Sequence, residues 1–217
     1  MPFTNPYIQE VLENKHILTD TKDIYIRKGK WSDFFKNWND ICLEIGTWMG
    51  NFFSGQVEKY PHINFIWLEL KRKRLASTYN KSAKNNTQNF VVCKELWQHI
   101  PHIFSEQEVS KTYILFPDPW GKKEYQKKNR LFTVPFMNNI HTITKVWGGL
   151  IIKTDDIEYF EEIVSIIEEK KWKIIFCSRD YEKEPHLFSK TTITEFESIW
   201  RGKRKCVCYL ELERLWD

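Results

Sequence analysis

From residue 41 onward the chain alternates short apolar runs with segments of helical periodicity. Ile41-Cys42-Leu43-Glu44-Ile45, residues 64–69 (NFIWLE), Phe90-Val91-Val92-Cys93, residues 111–116, Leu150-Ile151-Ile152-Lys153 and residues 172–177 all have strand length. Each is apolar almost throughout, as strands covered on both faces are. Between them, residues 51–59, 71–84, 134–144 and 156–170 read as helices. In the last of these, Ile157, Phe160, Ile163, Val164 and Ile167 recur at helical intervals. A short helix over residues 31–38 leads into the first strand, and Pro101 interrupts an irregular helical segment over 96–104. Strands alternating with helices predict parallel pairing through right-handed crossovers, hence an α/β fold with a doubly wound, mostly parallel sheet.

The end of the chain departs from this rhythm. After a polar loop, residues 193–200 read as a helix. Residues 205–214 then alternate Cys206, Cys208, Leu210 and Leu212 against Val207, Tyr209, Glu211 and Glu213. A strand with two unlike faces is expected to run antiparallel near a sheet edge. Residues 1–30 carry mixed charge and weak periodicity, with one short helix expected over 7–14, so they read as an N-terminal arm ahead of a single domain over 31–217. The length of 217 residues and the 41% hydrophobic content suffice for one such domain.

In an open α/β sheet ligands bind beyond the carboxyl ends of the strands, which here carry Glu44 and Gly46, Glu69, Asp118, and Thr154-Asp155-Asp156. Asp118 is the most constrained of them. It lies between Pro117 and Pro119 at the end of an apolar run, where proline cannot continue a ladder. Trp120 follows, and Lys122, Lys123, Lys127, Lys128 and Arg130 then crowd around a single acid, Glu124, as an arm suited to phosphates. Glu69 lies 23 residues beyond Gly46, close to the offset of about 20 at which an acid accepts ribose hydroxyls. The turn LEIGTWMGNFF has only Gly46 and Gly50 and carries Glu44, so it suits a cationic nucleoside such as S-adenosylmethionine better than a pyrophosphate.

Composition adjusts this picture little. The net charge of +4 is modest, so a polyanionic partner has to be argued from where the lysines and arginines cluster. One further cluster, Lys71 to Arg74, is expected on the outward face of a helix beside Glu69. Of the five cysteines, Cys42, Cys93 and Cys177 lie in strand-like runs and are expected to be buried, reduced thiols. Cys206-x-Cys208 and the pair His99 and His102 lack the spacing of a metal site, so no metal is expected. No apolar window is long enough to span a bilayer, and the N-terminus lacks the pattern of a secretory signal. The expected place is the cytoplasm, without a membrane partner.

GKWSDFF, LEIGTWMGNF, NFIWLEL, FPDPWGKK with a later NRL, GGLIIKTDD and TEFES occur in that order between residues 29 and 214. On these motifs the chain resembles the bacterial tRNA (guanine-N7-)-methyltransferases, Rossmann-like enzymes that use S-adenosylmethionine. The resemblance implies methyl transfer to N7 of a guanine in the tRNA variable loop, by a monomer or homodimer. It places Glu44, Gly46 and Glu69 at the cofactor, with Glu95 substituting for an acid or Asn that the family has one residue later. It makes Asp118 the central acid of the guanine site and assigns Lys122, Asp155, Thr194 and Glu197 to substrate binding. The chain departs from the family at Trp48 and Met49, where glycine and commonly lysine are usual, and at Leu96-Trp97. These departures keep a second reading open, a degenerate paralogue that binds tRNA or a partner without methyl transfer.

Overall fold

A computed structural model describes residues 14–46, 49–84, 87–121, 123–184, 193–203 and 205–216. The elements are β1 (Ile17–Leu18), α1 (Thr21–Tyr25), α2 (Trp31–Phe35), β2 (Ile41–Ile45), α3 (Asn51–Lys59), β3 (Asn64–Leu68), α4 (Arg72–Ser82) and β4 (Phe90–Cys93). They continue with α5 (Ile100–Ile103), β5 (Val109–Leu115), α6 (Val134–Ile143), β6 (Thr144–Thr154), α7 (Ile157–Ser165), β7 (Trp172–Ser178), α8 (Glu195–Gly202) and β8 (Cys208–Arg214). The strands form one sheet in the order β1-β4-β3-β2-β5-β6-β8-β7. All pairs from β1 through β6 are parallel, and β8 runs antiparallel between β6 and β7. The mostly parallel, doubly wound sheet expected from the alternation is therefore present, with its antiparallel strand one place from the edge.

The strand period of two sorts the central residues onto two faces. Leu43, Ile45, Ile66, Leu68 and Ile152 pack with Trp31, Phe104, Phe136 and Phe160 on one side. Cys42, Phe65, Trp67 and Val92 pack with Phe53, Val57, Leu75 and Ala76 of α3 and α4 on the other. Each fully buried side chain of this size stabilises the fold by about 1.5–3 kcal/mol, so burial on both faces explains why these runs contain so few polar residues.

Part of the expected arm belongs to this sheet. Ile17 and Leu18 are buried and pair in parallel with Val92 and Cys93; the Val92 and Lys94 N–H groups donate to the carbonyls of His16 and Leu18 at 2.8 and 2.7 Å. Asp20 caps α1 by accepting from Lys22 N–H at 2.8 Å, which brings Ile24 into the core. The domain thus begins before residue 31, while the helix expected over 7–14 falls almost wholly outside the described residues.

Two other boundaries differ from expectation. β6 starts at Thr144, six residues before Leu150. Its register against β5 jumps between Val109↔Thr144 and Lys111↔Gly149, where Trp147 adopts φ +63°. Gly148 is required at this kink, because a Cβ there would lie 2.7 Å from the Lys145 and Ser110 carbonyl oxygens. α7 ends at Ser165, short of residue 170, as the chain turns to lay Ile166 and Ile167 on the core. Cys42 and Cys93 are buried, and burial pushes the Cys42 thiol up to about 12; Cys177, expected to be buried, is exposed near the sheet edge. No helix among the described residues is long and apolar enough to cross a membrane.

Candidate active site

The strand order reverses between β2 and β5, and a cleft of about 370 Å³ opens at the carboxyl ends of the strands there. Gly46, Glu69, Glu95 and Asp118 all line it. Four residues expected at a ligand, drawn from four different strand ends, therefore meet in one place. Gly46 adopts φ +58°, a conformation that disfavours side chains, and the space its Cβ would occupy is open.

Each acid is held in a distinct way. One oxygen of Glu69 accepts from the Leu70 and Lys71 N–H groups at 2.8 and 2.9 Å at the start of α4, and the other from Arg74 at 3.2 Å. Arg74 thus turns back to the cleft, while Lys71, Arg72 and Lys73 are exposed as expected. Glu95 accepts from Leu96 N–H and meets His99 Nδ1, both at 2.8 Å. Burial pushes its carboxyl up, but the Leu96 N–H, His99 and the Thr21 hydroxyl together hold it below the usual carboxylate range. His99, considered from sequence only as a metal ligand and set aside, therefore supports a cleft acid. Leu96 and Trp97 line the cleft beside Glu95, and Trp97 is braced edge-on by Phe136 at 5.3 Å.

Asp118 is presented to solvent at the cleft mouth by a strained turn. Phe116, immediately before Pro117, sits at φ +54°, a conformation costing about 1–3 kcal/mol that the surroundings must impose. Its N–H donates to the Lys153 carbonyl at 2.7 Å, so the sheet grips the residue on one side and proline fixes it on the other. Arg130 holds the far end of the turn. Its Nε donates to the Pro119 carbonyl at 2.6 Å, its guanidinium pairs with Glu162, and the group lies 4.8 Å from the centre of the Tyr159 ring. Arg130 is only 7% exposed, so it fastens the turn and does not belong to the basic arm. Lys123 and Lys128 are exposed there, Lys127 pairs with Glu124 at 2.8 Å, and Lys122 lies outside the described residues. Trp120, 40% exposed, lines the cleft; Tyr125 does not.

The remaining expected residues are elsewhere. Glu44 is buried within β2 on the strand face shared with Cys42, and does not line the cleft. Asp155 follows β6 and lies 3.4 Å from Lys205. Thr194 and Glu197 form a reciprocal cap on α8, with Glu197 N–H donating to Thr194 Oγ1 at 3.0 Å and Thr194 N–H to Glu197 Oε2 at 3.4 Å. The Glu197 carboxylate also meets Lys153 Nζ at 2.9 Å, and Tyr181 donates its hydroxyl to it. The residue of this segment that does reach the cleft is Phe196, which sequence reasoning did not single out. It stacks on Phe116 with ring centres 5.8 Å apart.

A mostly parallel sheet of this order, with one antiparallel strand beside its edge and a ligand cleft of acids and aromatics at its switch point, defines a Rossmann-like methyltransferase fold. Among solved structures, the 16S rRNA methyltransferase KamB shares that fold, with a TM-score of 0.62 at 14% identity over 87% of this chain and 94% of that one. Residues 39–210 match a family model described as a putative methyltransferase. The tRNA (guanine-N(7)-)-methyltransferase of Oceanobacillus iheyensis is 35% identical over 161 residues, 74% of this chain and 72% of that protein. A bifunctional glycosyltransferase/methyltransferase of Fusobacterium nucleatum is 30% identical over 214 residues, 97% of this chain and 33% of that protein, so the chain spans about a third of its length. By this similarity the chain belongs to the tRNA (guanine-N7-)-methyltransferase family.

Proposed function

We infer that the protein methylates N7 of a guanine in tRNA, with S-adenosylmethionine as donor and the cytoplasm as its place of action. The observation that carries this reading is the placement of Asp118, on its braced proline turn, at the mouth of the cleft lined by Gly46, Glu69 and Glu95. Carboxylates suit the donor, whose ribose hydroxyls and positive charges they can accept and offset; Glu69 and Glu95 are the residues that would hold it. When bound, the donor supplies an electrophilic methyl group. Guanine N7 carries a lone pair and no proton, so the protein needs no general base and acts chiefly by placement. Asp118 would accept from the N1–H and N2–H₂ edge of guanine, which identifies the base and favours the positive charge that the purine gains. Trp120 offers a stacking face, and Lys123, Lys127 and Lys128, with Lys122 of the same stretch, supply phosphate contacts. Asp155 lies at the same strand-end edge and is assigned to the substrate on the family pattern. Gly46, Glu69, Glu95 and Asp118 meet in one cleft, and this, with the similarity to tRNA (guanine-N(7)-)-methyltransferases, favours an active enzyme over a degenerate paralogue.

Two results are expected. S-adenosylhomocysteine at 100 times its Kd should stabilise the folded protein by about 2.7 kcal/mol, read as a rise in Tm, and no rise at saturating ligand would refute donor binding. Converting Lys123, Lys127 and Lys128 to glutamine should weaken tRNA binding. It should also flatten the dependence of log Kd on log salt by roughly 0.7 to 0.9 for each phosphate that is no longer neutralised, whereas an unchanged slope would show that the arm does not touch phosphates.

A further inference from the structure

Lys153, Tyr181 and Glu197 form a wholly buried polar cluster that the proposed chemistry does not use. Lys153 is 1% exposed and the other two 0%. Lys153 Nζ lies 2.9 Å from Glu197 Oε2 and donates to Tyr181 Oη at 3.0 Å, while Tyr181 donates to the other carboxylate oxygen of Glu197. Glu197 thus engages Lys153, Tyr181 and the Thr194 N–H, none of which lines the cleft. Apolar residues of similar volume often support a fold as well as a buried ion pair does, so such a pair is better suited to fixing one arrangement among several.

The arrangement it fixes runs in a closed circuit. The Lys153 carbonyl holds the strained Phe116 through its N–H at 2.7 Å, and the Lys153 ammonium holds Glu197. Phe196, next to Glu197, stacks on Phe116 with an interplanar angle of 30°. One residue thus secures both members of an aromatic pair that lines the cleft beside Asp118.

We propose that Phe196 is an aromatic wall of the guanine subsite, and that Lys153 and Glu197 are positioning residues that lock it against Phe116. The inference rests on the methyl-transfer reading. Stacking recognises a purine through its face, which complements the edge contacts available to Asp118.

The test compares Phe196→Leu, Lys153→Met/Glu197→Met and the variant carrying all three changes. Affinity for S-adenosylhomocysteine by calorimetry should stay within about twofold of wild type, because none of the three side chains is assigned to the donor. The KM for tRNA, or kcat once tRNA saturates, should worsen about tenfold in Phe196→Leu, within the range that base stacking supports. The paired substitution should show a loss of the same kind, Phe196→Tyr should restore wild-type values, and the three changes together should be no worse than Phe196→Leu alone. If the paired variant does not fold, Phe196→Leu and Phe196→Tyr carry the test, since both leave the ion pair intact. Wild-type kinetics in Phe196→Leu, or independent, multiplying losses in the combined variant, would overturn the inference while leaving methyl transfer standing. A wild-type protein that methylates no guanine would overturn both.

Discussion

Replacing Asp118 with alanine should lower kcat/KM for tRNA methylation by about 10²–10³-fold, the scale expected when one preorganised group facing developing charge is removed. Stability should change by no more than about 0.5 kcal/mol, because the side chain is exposed and the turn is held by other groups. Phe116 N–H stays on the Lys153 carbonyl, and Arg130 stays on the Pro119 carbonyl. The frame therefore survives the loss of the group it presents. Single-turnover kinetics alongside denaturant unfolding separate the two effects. Turnover within a fewfold of wild type would remove Asp118 from the guanine site. A large stability loss would mean that the carboxylate helps to build the turn.

Breaking the buried ion pair should give the largest change in stability. Glu197→Leu removes the carboxylate paired with the buried Lys153 ammonium, at a cost of about 3–5 kcal/mol. Adding Lys153→Met to the same protein should recover most of that loss, because the two charges are then removed together. Urea unfolding of wild type, single and double variants forms the cycle. With Lys153→Met also measured alone, losses of the two single variants that simply add in the double variant would show that the pair is not coupled.

Much of the fold was legible because the central strands are buried on both faces and hence apolar throughout; Ile41–Ile45 and Phe90–Cys93 have the expected bounds. β1 was missed because two residues, Ile17 and Leu18, carry no period of their own and are strand only through their partners on β4. The early start of β6 was hidden by Trp147 and Gly148, whose kink looks like a terminator in sequence but is bridged by the β5 ladder.

The cleft was legible where an acid or glycine stands at or just beyond a strand end, as at Gly46, Glu69, Glu95 and Asp118, which all line it. It was illegible where direction mattered. Arg130 reads as one more cation in a basic run, yet its guanidinium points inward to a carbonyl and an aromatic face. Glu44 reads as a strand-end acid, yet it lies one residue inside β2, on the face that packs against α3 and α4. Thr194 and Glu197 are assigned to the substrate by the family pattern, yet they close a helix cap, and it is Phe196 between them that reaches the cleft.

The most direct test is to incubate the protein with methyl-labelled S-adenosylmethionine and unmodified tRNA, then identify the labelled nucleoside and its position. The account predicts label as N7-methylguanine at one position, and none when Asp118→Ala replaces the wild type. Label on another base or another atom, or no label from a folded protein that binds the donor, would contradict it.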